Sequence, residues 1–215
     1  MKRIVSIILM ILITFSINTF VYGVELNNEQ KADLYSLGIM VGDEKGDLHL
    51  TENITRAEAI KMICVAGNIE IEETVDITPF PDVPDEHWAC KYIYAAKYKG
   101  IVSGDEKGNF NPESNVTNEE IVKMIICLLG YEPAAEARGG YPAGFTSQAV
   151  RLGITENMIF DVNAPAVRND VAVMMCRALD VPKMEMIKEG EYVILDGNNF
   201  GIKKTLRDGF SNNQE

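Results

Sequence analysis

The chain has few of the residues on which most enzymes and metalloproteins depend. Its 215 residues include two histidines, four cysteines and one tryptophan. Neither a Gly-x-Ser-x-Gly nucleophile motif nor a phosphate-binding glycine loop occurs. His87 and Cys90 form one short His-x-x-Cys pair without the second ligand pair that a zinc site requires. The sequence therefore predicts a protein that is not an enzyme and that holds no cofactor or metal.

Basic residues are also scarce. The chain has 20 Lys and Arg against 32 Asp and Glu, which gives a formal net charge of −12. Because such a charge repels a phosphate backbone, nucleic acid is not an expected partner. The acidic residues around Asp43 and Asp105 lack the spacing of an EF-hand loop, so turns are expected there rather than a calcium site.

Long apolar runs are missing except at the N-terminus, where Ile4 to Phe15 follow Lys2 and Arg3. This layout is typical of a secretory signal, and the run is shorter than the ~20 residues that span a bilayer. We expect cleavage after Gly23, so that the mature chain is secreted and not stably inserted in a membrane. The alternative is an uncleaved N-terminal anchor.

Four cysteines in an exported chain suggest two disulfides by count alone. Cys64, Cys127 and Cys176 each fall inside an apolar helical pattern, however. We therefore expect them mainly to be small buried hydrophobic residues, with disulfides as the alternative.

The chain contains an internal repeat. The segment "ITRAEAIKM" (54–62) aligns with "VTNEEIVKM" (116–124) at an offset of 62 residues, and "AVRNDVAVM" (166–174) follows 50 residues later. Apolar residues at spacings of three and four predict a helix in each segment. The first two helices begin with Thr-x-x-Glu, a reciprocal cap, whereas Val167 replaces the threonine in the third.

A second helix is predicted upstream of each segment, ending at Gly38, Gly100 or Gly153, where glycine suits a left-handed C-cap. Asp85 is the predicted N-cap of the second of these helices. Because one helix-loop-helix unit buries little surface, we expect three copies to share one core. The predicted copies are residues 24–75, 76–138 and 139–182. The third is degenerate because Val167 replaces its capping threonine, and its loop is also three residues shorter.

The segment "FPDVPDEHWACKYIYAAKYKGIVSGDEKGNFNPESNVTNEEIVKMI" (80–125) closely resembles an S-layer homology repeat. The resemblance rests on the order of its motifs: Phe-x-Asp-Val, His-Trp-Ala, Gly-Ile-Val-x-Gly, Gly-x-Phe-x-Pro and the Thr-x-x-Glu helix start. It implies a mainly α fold, with three repeats forming a pseudo-threefold spindle. It also implies secretion and non-covalent attachment to secondary polysaccharide of a Gram-positive-type cell wall or S-layer, often through a pyruvylated sugar.

The resemblance further implies that Arg56 faces Asp82 and Trp88 of the next copy across a groove. A guanidinium binds a carboxylate through two parallel hydrogen bonds, and the free N–H groups at a helix start also favour an anion. An indole packs on a sugar ring, while a carboxylate accepts hydroxyl hydrogen bonds. The candidate ligand-binding residues are Arg56, Asp82, Trp88, Gly104 and Arg168.

The other two grooves look weaker. Asn118 replaces the arginine in the second copy, and the third copy offers Tyr141 and Phe145 in place of tryptophan. We therefore expect one competent groove, between the first two copies. Alternative roles remain for each residue: Trp88 as a core aromatic, Arg56 as a solvated helix end and Asp82 as the cap of a turn.

Residues 183–215 form a C-terminal extension. Within it, "GEYVILDGNNFGIKKTL" predicts two short strands about a Gly/Asn turn, which resemble a β-hairpin. The extension is interpreted as the remnant of a longer relative, or as a small module that caps the repeats or recruits a surface protein partner. A scaffold built from degenerate repeats is the alternative to wall binding, and a wall hydrolase is a third, weaker hypothesis.

Overall fold

The computed structural model describes residues 23–72, 78–159, 161–198 and 201–211, and the predicted signal peptide lies almost wholly outside these ranges. Within them the chain forms eight helices and one two-stranded antiparallel sheet. The mainly helical class is therefore confirmed. The elements are α1 (Asn28–Ser36), α2 (Arg56–Ala66), α3 (Cys90–Tyr98), α4 (Asn118–Leu128), α5 (Glu132–Glu136), α6 (Ala143–Arg151), α7 (Arg168–Ala178), β1 (Met184–Lys188), β2 (Glu191–Ile194) and α8 (Asp208–Ser211).

Reciprocal caps start α2 and α4 where the sequence predicts them. The Thr55 hydroxyl accepts from the N–H of Glu58 at 3.2 Å, and the Glu58 carboxylate accepts from the N–H of Thr55 at 2.9 Å. Thr117 and Glu120 repeat this pattern at α4. At α7, Val167 makes no side-chain cap, as its apolar side chain requires.

The helix that contains the Cys90 segment begins later than predicted. The N-cap of α3 is Ala89, which has no side-chain cap, so the predicted N-cap role of Asp85 is wrong. The His87 ring accepts from the N–H of Ala89 at 3.1 Å and thereby holds the chain in a turn before the helix. As a result Trp88 precedes α3 instead of lying on its face.

Backbone hydrogen bonds join the starts of the three downstream helices in a closed cycle. Ile54 donates to the carbonyl of Ala166 at 3.1 Å, Ala166 donates to Val116 at 2.8 Å, and Val116 donates to Ile54 at 3.0 Å. All three side chains are fully buried at this junction. The cycle favours the threefold arrangement, while the number of repeats remains a prediction.

Helix packing follows the same cyclic order. The downstream helices α2, α4 and α7 pack respectively on α3, α6 and α1, which are the upstream helices of the next predicted copy. Each of these helix pairs is therefore formed by two neighbouring copies. The apolar faces of these pairs merge into one core.

The C-terminal extension closes over one end of this core. β1 and β2 form the predicted hairpin, but its turn is at Glu189 and Gly190 instead of the Gly/Asn segment near residue 198. Strand β1 is fixed by a hydrogen bond from the N–H of Met184 to the carbonyl of Leu129 at 2.9 Å. Because of this anchor, the strands begin at residue 184, which is earlier in the chain than the sequence pattern predicts.

Arg207 fastens the end of the extension. Its guanidinium donates to both carboxylate oxygens of Asp180, at 2.6 and 2.9 Å, and to both oxygens of Asp33, at 3.1 and 2.9 Å. These bonds raise the pKa of Arg207 further above its ordinary value, with Asp180 as the largest cause. The extension thus joins α1 to the C-terminal end of α7.

All four cysteines are free thiols. Cys64, Cys90 and Cys176 are buried and Cys127 is half-buried, which agrees with their expected role as small hydrophobic residues. Burial raises the pKa of Cys64 to about 12, so this thiol stays protonated at neutral pH. Among the residues that the structure describes, no helix has the length and apolar character needed to cross a membrane.

Candidate functional site

A cavity of about 370 Å³ surrounds the side chain of Arg56. Gly104, Glu120 and Lys123 line it from the second predicted copy, and Tyr141 lines it from the third. Since Arg56 belongs to the first copy, all three copies contribute to this groove. We call it the Arg56 groove.

Arg56 is held rigidly at the back of this groove. Its Nε atom donates to the carbonyl of Phe110 at 2.8 Å, and its Nη1 atom lies 2.7 Å from Oε1 of Glu120. The guanidinium carbon is 4.8 Å from the centre of the Phe110 ring, and the side chain is 11% exposed. The guanidinium therefore reaches the groove in one fixed orientation.

The helix start beside Arg56 offers no open anion site, contrary to expectation. The N–H groups of Arg56 and Ala57 donate to the carbonyls of Ser114 and Pro112, each at 2.9 Å. The loop of the next copy crosses the first turn of α2, so loop carbonyls accept from these N–H groups and leave neither of the two for a ligand. The first two N–H groups of α4 and of α7 are occupied by neighbouring loops in the same way.

Asp82 stabilises a turn beside the Arg56 groove. Its Oδ1 accepts from the N–H of Phe110 at 2.8 Å, and its Oδ2 accepts from the N–H of Asn111 at 2.6 Å. Because Phe110 also presents its carbonyl to Arg56, Asp82 positions the turn that orients the guanidinium. It does not line the Arg56 groove, so the structure matches the alternative in which Asp82 caps a turn.

Trp88 lies in a different groove from Arg56. A cavity of about 210 Å³ is lined by Trp88, Arg168, Glu58 and Lys61, together with Met62 and residues 39–41. We call it the Arg168 groove. The expected pairing of Arg56 with Trp88 is therefore wrong, because the cyclic packing brings Trp88 to the arginine of the third copy.

Arg168 is held as Arg56 is held. Its Nε atom donates to the carbonyl of Leu48 at 3.0 Å, and its Nη1 atom lies 3.0 Å from Oε1 of Glu58. Trp88 is 50% exposed and stacks on the ring of His87 with ring centres 5.8 Å apart. Half of the indole is thus available to a ligand, which argues against a core role for Trp88.

Tyr141 takes the same place in the Arg56 groove that Trp88 takes in the Arg168 groove. Each aromatic residue stands 12 positions before the glycine that ends its upstream helix, Gly153 or Gly100. Burial, and then a 2.8 Å hydrogen bond that its hydroxyl donates to Glu119, raise the pKa of Tyr141. The phenol therefore stays neutral and its ring is fixed in orientation.

Two lysines complete the grooves. Lys61 lines the Arg168 groove, and Lys123 lines the Arg56 groove with its Nζ atom 5.3 Å from the centre of the Tyr141 ring. Among the described residues neither lysine has an ion-pair partner. Sequence reasoning missed both, although the signal was present, since the lysine recurs in "ITRAEAIKM" and "VTNEEIVKM".

The third position equivalent to these grooves lacks both the arginine and the lysine. Asn118 replaces the arginine, is 3% exposed, and donates to the carbonyls of Asp161 at 2.9 Å and Ala164 at 3.3 Å. Val173 stands where the other copies have lysine. The geometry therefore supports two grooves of the same design instead of the single groove that the sequence predicts.

Residues 79–121 match the model of the S-layer homology domain family. The match falls within the second predicted copy and covers residues 80–121 of the segment on which the sequence resemblance rests. The chain contains an S-layer homology domain. The first and third copies of this domain remain predictions.

Several surface proteins are similar to the region that contains the S-layer homology domain. The chain is 31% identical to the middle cell wall protein of Brevibacillus brevis over 159 residues, which are 73% of this chain and 15% of that protein. It is 32% identical to the surface layer protein of Brevibacillus choshinensis, over 76% of this chain and 14% of that protein. It is 29% identical to the cell surface protein of Thermoanaerobacter kivui, over 76% of this chain and 21% of that protein. The similarity thus covers about a fifth or less of each relative's length.

Proposed function

We propose that this protein attaches non-covalently to the cell wall by binding a carboxylate-bearing sugar of a wall polysaccharide, such as a pyruvylated one, in its two grooves. The S-layer homology domain and the similarity to cell wall and surface layer proteins support wall attachment and a secreted, wall-associated location. The choice of sugar is the finer part of the proposal. It rests on the chemistry of the grooves.

The observation that carries the proposal is the recurrence of one set of side chains at two separate grooves. Each groove combines a fixed arginine, a lysine and a half-exposed aromatic ring. The two cations suit the carboxylate of an acidic sugar, and the ring suits the apolar face of a pyranose. A structural arginine alone would not need the lysine and the ring beside it.

The ligand binds mainly through the lysine in each groove. Arg56 and Arg168 already share their charge with Glu120 and Glu58, at 2.7 and 3.0 Å. Their role is to orient a bound carboxylate, while Lys123 and Lys61 supply the charge that no described residue neutralises. Attachment should therefore weaken as salt rises and screens these partly exposed cations.

The test is co-sedimentation of the mature chain with purified cell walls, before and after extraction of the pyruvylated polysaccharide. We expect sedimentation with intact walls and its loss after extraction. Lys61→Ala with Lys123→Ala should reduce the bound fraction at least tenfold. The matched control is Lys45→Ala, an exposed loop lysine outside both grooves.

Equal sedimentation with and without the polysaccharide would refute the proposal. A second candidate function, a surface scaffold that meets another protein through residues 183–215, is favoured by the loss of groove chemistry at Asn118 and Val173. If the double lysine variant binds walls unchanged, the scaffold is the better explanation. A constant turbidity of the wall suspension would separate both functions from hydrolysis.

A further inference from the structure

A second kind of cavity lies at the other side of the third copy, between α5, α6 and the hairpin. It encloses about 530 Å³ and is lined by Tyr131, Arg138, Gln148, Arg151, Met184 and Ile194, among others. None of these residues belongs to the two grooves. We call it the hairpin cleft. Its size is typical of sites for small ligands.

Two arginines give the hairpin cleft a positive charge in an otherwise acidic protein. Arg138 uses one N–H group to bond the carbonyl of Ala134 at 2.7 Å, and its other donors make no further bond to the described part of the chain. Arg151 has no ion-pair partner within the described ranges. Two guanidinium groups at one cleft favour a carboxylate, which accepts paired hydrogen bonds from such groups.

Gln148 adds an unsatisfied acceptor to the same cleft. Its side chain is 4% exposed, and its Oε1 atom has no hydrogen-bond partner among the residues that the structure describes. Because Gln148 and Arg151 are three residues apart on α6, they share one helix face. A buried amide oxygen without a donor costs stability, so this position suits a ligand that brings an N–H group.

The floor of the cleft is apolar and continues onto the hairpin. Met184 and Ile194 are paired across β1 and β2, and the next pair on that face is Met186 with Tyr192. These last two side chains are 60% and 42% exposed. An apolar side chain of a ligand would therefore contact Met184 and Ile194 and extend toward the exposed pair.

We propose that the hairpin cleft binds a short peptide that ends in a free carboxylate next to an apolar side chain. The carboxylate pairs with Arg138 and Arg151, a backbone N–H donates to Oε1 of Gln148, and the apolar side chain packs on Met184 and Ile194. A simple fatty acid fits less well, because it lacks the N–H group. This inference goes beyond wall attachment and does not depend on it.

The probe is the tetrapeptide Gly-Gly-Ala-Leu with an N-terminal fluorescein, measured by fluorescence anisotropy against the mature chain. We expect the free carboxylate form to bind at least tenfold more tightly than the same peptide with a C-terminal amide. Arg151→Gln should weaken binding at least tenfold, whereas Lys45→Gln should leave it unchanged. Sedimentation with walls should be the same for Arg151→Gln and the unaltered chain, which separates this site from the grooves.

Gln148→Met tests the N–H contact separately from the charge. It removes the unsatisfied oxygen at similar volume, so the melting temperature should stay or rise while peptide affinity falls severalfold. Equal affinity for the acid and amide peptides, an Arg151→Gln affinity equal to that of Lys45→Gln, or no binding at about 1 mM protein would overturn the proposal. Decanoate competing as strongly as the peptide would show that the N–H contact does not select the ligand, and would overturn it too.

Discussion

Arg56 and Glu120 form an ion pair between two successive copies, with Nη1 and Oε1 separated by 2.7 Å. The same glutamate accepts from the N–H of Thr117 through its other oxygen at 2.9 Å. One carboxylate therefore starts α4 and fixes the arginine of the Arg56 groove. Glu58 does both tasks for α2 and Arg168. Because one glutamate both caps a helix and pairs with an arginine, the stability of each helix start is linked to the geometry of a groove.

A double-mutant cycle of Arg56→Ala and Glu120→Ala should reveal this link. Because both side chains are partly shielded from water, we expect a coupling free energy of about 1 kcal/mol. Glu120→Ala also removes the carboxylate half of the α4 cap, and Arg56→Ala also removes the bond to the Phe110 carbonyl, so only the cycle isolates the ion pair. Denaturant unfolding followed by circular dichroism measures each value.

The control cycle is Lys188→Ala with Glu191→Ala, an ion pair whose side chains are 68% and 52% exposed. Its coupling should be close to zero, as is usual for exposed pairs. Equal coupling in the two cycles would contradict the link between helix start and groove.

Asn118→Asp should destabilise the fold strongly. The substitution keeps the shape of the side chain but removes the amide N–H group that donates to the carbonyls of Asp161 and Ala164. It also places a carboxylate at a position that is 3% exposed. We expect a loss of about 3 kcal/mol in unfolding free energy at neutral pH. Part of that loss should return at acid pH, where the new carboxyl is protonated, and a loss independent of pH would argue against a buried charge.

Gly130→Ala should detach the hairpin from the core. Gly130 has a φ of +85°, and a Cβ atom there would lie 2.0 Å from the carbonyl oxygen of Met184. Gly38 has a similar φ of +68°, but no described atom lies within 4 Å of a Cβ added there, so Gly38→Ala is the matched control. The control should cost about 1 kcal/mol from backbone strain alone, and Gly130→Ala about 4 kcal/mol or more. Thermal unfolding measures both, and equal costs would mean that the hairpin does not press on Gly130.

The loop of the first copy should lose stability as the pH rises through the pKa of His49. The ring lies 3.1 Å from Glu52 and 3.4 Å from Asp43, and the bond to Glu52 is the largest cause that raises its pKa. A raised pKa means that the folded state binds the proton more tightly than the unfolded chain does. The stabilisation is therefore complete below the ordinary pKa of about 6.5 and lost above the folded value.

At low pH the stability of the same loop depends on Asp43. Backbone N–H groups of Asp47 and Lys45 lower its pKa, so its contribution is present above about pH 4 and lost below. His49→Asn should remove the loss of stability that accompanies deprotonation of His49 without straining the backbone, because Asn111 holds the corresponding left-handed position in the second loop. An NMR titration in which His49 has a pKa below 6.5 would contradict this account.

Much of the helical framework could be predicted because its signals are local. The Thr55 and Thr117 caps and the glycine at the end of each upstream helix depend on hydrogen bonds within a few residues. The start of α3 was missed because it depends on the His87 ring, which occupies an N–H group that a helix cap would otherwise use. The position of the hairpin turn was missed because strand β1 is fixed by a distant carbonyl, that of Leu129.

The sequence by itself determined which residue types are available at the site: two arginines at equivalent helix starts, one tryptophan, and a repeated lysine. Only the tertiary structure decided their partners, because downstream helices pack on the next copy and thus bring Trp88 to Arg168 and Tyr141 to Arg56. It also decided that loop carbonyls, and not a ligand, satisfy the first N–H groups of the helices. Local hydrogen bonding is encoded within a few residues, whereas these pairings follow from burying apolar helix faces in a cyclic order along the chain.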